Sequence, residues 1–252
     1  SFDTEIKPTL GLGRWLYACS WFLDEEIKIR NVQKLERDAF VDQLRGMVAE
    51  SPHRALLLFV HGYRTDFDFA LRGTAFLARI LDIDAPVMMF DWPGNQGDSL
   101  RGYRRAQQVA TASGADLAAT LRLIVRDIQP QRLWLVANSM GGQVVVDAFS
   151  QLYADGDFSD VDTEIDEVVL TAPDVDYARF NDQFKRELAA LARNTTVYVS
   201  STDRALLVSR VVNRGRRLGE STLSKQDAEL FEEVDGLLDL VDGDTGRVTL
   251  ID

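Results

Sequence analysis

The sequence predicts an α/β protein with a mostly parallel, doubly wound sheet and helices on both faces. Three observations support this fold class. Short apolar runs recur without polar alternation, as expected for parallel strands that are covered on both faces. Segments with helical apolar spacing separate these runs. Glycine, proline or aspartate follows most of the runs, which marks turns. The strands are predicted at residues 55–60, 86–90, 133–137, 168–172, 195–200 and 247–252.

Apolar residues that recur every three or four positions predict the helices between the strands. The acidic stretch 154–167 is interpreted as a solvated connection, because a calcium-binding loop requires a tighter pattern of ligands. The first helix has its expected packing face at Leu35, Phe40, Val41, Leu44 and Val48. Helices are predicted at 32–49, 66–81, 104–127, 143–153, 178–191, 205–212 and 226–240.

Length and composition favour one large domain over several. We expect residues 1–252 to form a single domain, because no internal repeat or linker interrupts the alternation of strands and helices. Residues 1–50 are expected to form an extension that packs on this domain, with a short strand near residues 15–22 and the first helix.

Charge and cysteine content exclude some classes of protein. The formal net charge of −12 argues against general nucleic-acid binding, which requires a basic surface. The single Cys19 excludes an internal disulfide and leaves the compartment undecided, with a soluble, cytoplasmic protein favoured. No apolar run approaches the roughly 20 residues of a membrane span. We find no metal-ligand cluster or cofactor fingerprint, and the oligomeric state stays open.

The run at residues 132–142 is the one around which the chemistry is organised. A buried strand at 133–137 leads into a tight turn with Ser139 at its tip, and a helix follows. This is the context of a nucleophile elbow, in which a strained backbone requires small residues two positions on either side. Ala137 and Gly141 meet this requirement. Ser139 is therefore the predicted nucleophile.

A second loop at the same edge of the sheet supports this interpretation. His61, Gly62 and Tyr63 end the first buried strand, and the carboxyl ends of parallel strands form the reactive edge. In α/β hydrolases the oxyanion is held by the backbone N–H after the nucleophile and by an N–H of this earlier loop. Here the two donors would be the amides of Met140 and Tyr63, and Gly62 would allow substrate to approach the backbone closely.

Two aspartates are candidates for the acid of a catalytic triad. Asp203 follows the strand at 195–200, which is a usual position for the acid in the chain order Ser, Asp, His. Asp174 follows the preceding strand and is the alternative. Either aspartate could instead cap a helix. Asp203 is preferred.

The catalytic base has no evident candidate. The chain has two histidines, His53 and His61. His53 precedes a strand and so belongs to the opposite edge, while His61 occupies the oxyanion loop, where the ring usually has a structural role. We expect the chain to be cut short before a histidine that follows Asp252. The other interpretation is a hydrolase fold without a normal triad.

Five motifs occur in order along the chain, at residues 61–67, 90–93, 137–141, 170–176 and 198–206. Through these motifs the chain resembles an α/β-hydrolase family of largely uncharacterised, mostly bacterial proteins with lipase- or esterase-like elbows. The resemblance implies a serine hydrolase with Ser139 as nucleophile, Asp203 as acid and a histidine after the last strand. Asn138 departs from the family, which usually has histidine before the nucleophile.

The surroundings of these motifs suggest a substrate class. Five arginines follow Asp203 closely, starting with Arg204, and either pair with the many carboxylates of the chain or hold an anionic group of the substrate. An apolar rim is expected from Tyr63, Phe67, Trp92 and Met140. We therefore expect hydrolysis of a small-molecule ester or acyl compound without a cofactor. The alternatives are a catalytically incomplete binding or assembly module, and an acyltransferase.

Overall fold

Six parallel strands form one sheet in the part of the chain that the structure describes. This computed structural model describes residues 28–155, 165–176, 179–198 and 247–251. The strand order is β2-β1-β3-β4-β5-β6, and every neighbouring pair is parallel. The α/β class and the parallel sheet are therefore confirmed. The strands are β1 (Ala55–Val60), β2 (Val87–Phe90), β3 (Arg132–Asn138), β4 (Ile165–Thr171), β5 (Ala192–Tyr198) and β6 (Arg247–Ile251).

Helices connect and cover these strands. The long α3 packs against α4, and both contribute to the buried core above the sheet. A π-helical turn, Ile124–Ile128, follows α3, and a second one, Phe180–Phe184, precedes α5. No described helix combines the length and apolar character that crossing a lipid bilayer requires. The helices are α1 (Arg37–Glu50), α2 (Phe67–Ile80), α3 (Leu100–Leu123), α4 (Gly141–Ala154) and α5 (Lys185–Leu191).

The strand order creates a switch point between β1 and β3. The chain passes from β1 outward to β2, then returns across β1 and continues from β3 to β6 on the other side. The register aligns Val60 of β1 with Phe90 of β2 and Ala137 of β3, so these strands end at the same level. In open parallel sheets, ligands bind outside the carboxyl ends at such a reversal. The loops after β1 and β3 lie on either side of it.

Side-chain hydrogen bonds set the starts of two helices. The carboxylate of Asp66 accepts a hydrogen bond from the Phe69 amide at 2.9 Å, and Ser99 accepts one from the Gly102 amide at 3.1 Å. Both are favoured N-cap residues. Because Ser99 caps α3, the helix begins four residues before the start predicted at residue 104.

Three local predictions need correction. Phe40 is 36% exposed, although the apolar spacing predicts it on the packing face of α1. At 100° per residue, it lies at the border of the buried stripe that Val41, Leu44 and Val48 form. Residues 165–167 belong to β4 and not to a solvated connection, since Asp166 and Glu167 accept hydrogen bonds within the sheet from the Leu133 amide and the Thr196 hydroxyl, both at 2.8 Å. The helix predicted at 178–191 is a π-helical turn followed by α5.

The predicted strand near residues 15–22 and the predicted helices at 205–212 and 226–240 lie outside the described residues.

Candidate active site

Ser139 occupies a strained position at the end of β3. Its φ is +52°, in the left-handed region that non-glycine residues seldom adopt. The Ser139 amide donates to the carbonyl oxygen of Thr171 at 2.9 Å, and its own carbonyl accepts from the Gly142 amide at 2.9 Å. The sharp turn connects β3 directly to α4, which is the strand–turn–helix context of a nucleophile elbow.

Gly141 lies where the elbow meets the end of β1. A Cβ atom on Gly141 would lie 2.6 Å from the carbonyl oxygens of both Val60 and His61. These are backbone atoms, so no side-chain rotation would relieve the contact. The requirement for a small residue two positions after Ser139 therefore has a direct steric cause here.

The oxyanion loop, residues 61–63, lies against the elbow. A Cβ atom on Gly62 would lie 3.2 Å from the Cβ of Ser139 and 3.2 Å from the carbonyl oxygen of Asn138. In the described part of the chain, the backbone hydrogen bonds of this region do not use the amides of Met140 and Tyr63. These two amides therefore have no backbone hydrogen-bond partner among the described residues.

His61 holds the oxyanion loop to the loop after β2. Its ring is 2% exposed, stacks on Trp92 with centroids 5.5 Å apart, and lies with Nδ1 3.0 Å from the Gly62 carbonyl oxygen. A carbonyl only accepts, so Nδ1 is the donor in this bond. Nε2 lies 3.2 Å from the Trp92 amide nitrogen and 3.1 Å from Oδ1 of Asp91. Both ring nitrogens therefore have partners other than Ser139.

Two of the four residues predicted for the apolar rim are buried in the structure, and the other two are at least partly exposed. Trp92 is 2% exposed, and its Nε1–H donates to the His61 carbonyl at 2.7 Å, so the indole packs inside the protein and is not an open rim in this arrangement. The Met140 side chain is buried as well. Phe67 is 41% exposed at the start of α2, and Tyr63 is half-buried.

Tyr63 also anchors the glycine-rich loop at residues 94–99. Its hydroxyl donates to the carbonyl of Gly97, and the neighbouring Arg64 forms an ion pair with Asp98 at 2.8 Å. The pKa of the Tyr63 phenol is raised above its ordinary value, mainly by burial. The charge of Arg64 lowers this pKa, and the charge of Asp98 raises it.

Of the two candidate acids, Asp174 lies within the described residues and is 4% exposed. Its carboxylate accepts a hydrogen bond from the Tyr103 hydroxyl, and its amide donates to the carbonyl of Ser139 at 3.1 Å. Asp174 is thus in direct contact with the elbow. Asp203 and Arg204 lie outside the described residues.

Neither histidine is arranged as a base for Ser139. His53 is exposed in the turn before β1, at the opposite edge of the sheet, and the ring of His61 is occupied as described above. The side chain of Asn138, at the position where the resembling family has histidine, accepts a hydrogen bond from the Thr171 hydroxyl at 3.2 Å. In the described residues, no group of three or more His, Cys, Asp or Glu is arranged to hold a metal ion.

Sequence reasoning missed two residues of this region, Asp91 and Tyr103. Asp91 directly follows β2, so the same edge rule that selected His61 and Asp174 would have found it. Tyr103 had no comparable signal, because it lies in the first turn of α3 and meets Asp174 across 71 positions of sequence.

The chain is similar to some proteins of known structure and to one family model. Among solved structures, the chain is similar to a thermophilic esterase from the Planctomycetes species Thermogutta terrifontis, with 11% identity, 78% of this chain and 69% of the esterase covered, and a TM-score of 0.41. A lipase-esterase related protein from Clostridium acetobutylicum ATCC 824 gives 12% identity, coverage of 81% and 86%, and a TM-score of 0.37. Among curated proteins, none matches the chain.

A family model described as "Alpha/beta hydrolase of unknown function (DUF900)" matches residues 36–247. The matched range includes the oxyanion loop, the elbow and all strands up to the start of β6. The chain therefore belongs to this family of α/β hydrolases.

Proposed function

We propose that this protein is a serine hydrolase of carboxylic esters in which Ser139 is the nucleophile. The observation that carries the proposal is the positive φ of Ser139 at a strand–turn–helix junction, beside a loop with a free backbone amide. Strained backbone at a non-glycine residue persists only where the surroundings hold it, and it clusters at active sites. In an α/β hydrolase, a serine in this conformation presents its hydroxyl at the carboxyl edge of the sheet.

In the proposed mechanism, the Ser139 hydroxyl attacks the ester carbonyl and the negative charge develops on the carbonyl oxygen. The amides of Met140 and Tyr63 would donate to this oxyanion. Donors that are already in place stabilise the transition state without rearrangement, and each contributes about 3–4 kcal/mol in acyl transfer. The base takes the proton of the Ser139 hydroxyl and gives it to the oxygen of the departing alcohol. In a second step, water adds to the acyl carbonyl and releases the acyl group from Ser139 as a carboxylic acid.

The proposal assigns the acid of the triad to Asp203 and requires a base other than His53 and His61. A serine hydroxyl needs a neighbouring group to take its proton, and the acid orients the imidazole that does so. His61 is not this base, because its Nδ1–H donates to the Gly62 carbonyl and its Nε2 accepts from the Trp92 amide.

A fluorophosphonate probe tests, in the complete gene product, whether Ser139 is the nucleophile. The wild-type protein should gain one adduct, located on Ser139 by peptide mass spectrometry, and should hydrolyse short-chain p-nitrophenyl esters. Ser139→Ala should abolish both. Ser51→Ala removes a hydroxyl at the opposite edge of the sheet, where Ser51 accepts from the Ala55 amide at 3.1 Å, and it should retain both.

A second candidate function is a binding or assembly module that keeps the fold without the chemistry. The placement of both histidines away from Ser139 favours it. If the fluorophosphonate probe does not label the complete protein and the protein cleaves no short-chain ester, the hydrolase proposal is wrong and this second candidate is favoured. An acyltransferase would label like a hydrolase but transfer the acyl group to an added alcohol faster than to water.

A further inference from the structure

We propose that Asp174 positions the elbow rather than acting as the acid of a triad, and that Tyr103 holds Asp174 in place. This inference rests on the proposed function, in which Ser139 is the nucleophile. Tyr103 and Asp174 are 71 positions apart in sequence and meet next to Ser139, whose carbonyl accepts from the Asp174 amide.

The first observation is that the loop after β4 holds the backbone of Ser139 from two sides. The Ser139 amide donates to the Thr171 carbonyl at 2.9 Å, and the Ser139 carbonyl accepts from the Asp174 amide at 3.1 Å. The Gly142 amide donates to the same carbonyl at 2.9 Å. A residue with a φ of +52° needs such surrounding bonds to keep its conformation. Movement of Asp174 would therefore be transmitted directly to the nucleophile.

The second observation is the environment of the Asp174 carboxylate. It is 4% exposed and accepts a hydrogen bond from the hydroxyl of Tyr103, which is itself 7% exposed. The acid of a triad must accept a hydrogen bond from an imidazole N–H and stabilise the imidazolium that forms. A carboxylate buried against a tyrosine hydroxyl, with its own amide bonded to the elbow, is arranged to hold the backbone.

The third observation is that Tyr103 contacts Tyr63 as well as Asp174. Its ring packs edge-on against Tyr63, with centroids 5.5 Å apart and planes at 89°. Tyr63 supplies one proposed donor amide, and Asp174 supports the turn that leads to the other. Tyr103→Phe keeps the ring contact and removes the hydroxyl, which donates to Asp174 and accepts from the Gln107 side chain at 3.5 Å.

Replacing Asp174 and Asp203 with asparagine, one at a time, distinguishes a positioning residue from the acid of a triad. In Asp174→Asn, the amide oxygen can still accept a hydrogen bond from Tyr103, so kcat should fall by about 10-fold or less. The corresponding change in a triad acid lowers kcat about 10⁴-fold. Asp203→Asn should show that large loss. Tyr103→Phe should lower kcat about 10-fold with KM unchanged, because a shift well below 1 Å at the nucleophile is enough for this effect. Tyr153→Phe removes an exposed hydroxyl at the end of α4 and is the matched control.

Amide hydrogen exchange gives a readout that does not depend on catalysis. In Tyr103→Phe, exchange of the Asp174 and Gly142 amides should accelerate about 10-fold or more, while Tyr153→Phe leaves it unchanged. Loss of activity in Asp174→Asn as large as in Asp203→Asn would overturn the inference, and so would unchanged exchange in Tyr103→Phe. If Ser139→Ala were as active as the wild type, the proposed function would fail, and the exchange rates would still decide whether Tyr103 and Asp174 hold the turn.

Discussion

Replacing Gly141 with alanine should destabilise the protein and slow the reaction of Ser139. The new Cβ would lie 2.6 Å from the carbonyl oxygens of Val60 and His61. Both oxygens belong to the backbone at the end of β1, so the elbow and the oxyanion loop would have to separate by about 0.5–0.8 Å to restore normal contact. Overpacking of this kind costs about 1–3 kcal/mol in the free energy of unfolding. Each kcal/mol corresponds to a loss of about 2–4 °C in Tm for a chain of this size.

The same displacement would move the Met140 amide away from the Tyr63 amide. Because a 1 Å misplacement costs about 100-fold in rate, we expect fluorophosphonate labelling of Gly141→Ala to slow by about 10-fold or more. Gly46→Ala is the control, since a Cβ at Gly46 in α1 meets nothing within 4 Å. That variant should be more stable than the wild type by up to about 1 kcal/mol and should be labelled at the normal rate. Wild-type stability and labelling in Gly141→Ala would refute the close approach of the elbow to β1.

Two further predictions concern backbone strain and pH. Glycine tolerates the φ of +52° at position 139, so the free energy of unfolding of Ser139→Gly, measured by urea titration, should exceed that of Ser139→Ala by about 1 kcal/mol. At position 46 in α1 the order should be reversed, with alanine more stable than glycine. Equal stability of the two Ser139 variants would contradict the strained turn. Burial raises the pKa of Tyr63 above its ordinary value of 10.0, so the folded protein holds the phenol proton more tightly than the unfolded chain does. The free energy of unfolding should therefore fall as the pH rises above about 10, and urea titrations should find a smaller fall in Tyr63→Phe. An equal fall in both proteins would show that Tyr63 does not contribute.

Local sequence was sufficient to locate the described strands and the edge of the sheet that carries the candidate site. Continuous apolar runs located the strands, because parallel strands that are covered on both faces are mainly apolar. The runs did not include the polar starts of β4 and β5, with Asp166 and Glu167 in β4 and Arg193 and Asn194 in β5. The small residues Ala137 and Gly141 pointed to the elbow, because a strained turn leaves no room for larger side chains. These signals lie within a few consecutive residues, so they can be read before anything is known of the packing.

The tertiary structure decided which distant side chains meet. The strand order brings β1 next to β3, and this places Gly62 against Ser139. It also moves Trp92 from the expected rim to a buried stack on His61, and it joins Tyr103 to Asp174. A hydroxyl and a carboxylate that are 71 positions apart leave no periodic signal in the sequence. Their contact depends on how α3 and the loop after β4 pack around the end of β3, which is a property of the whole fold.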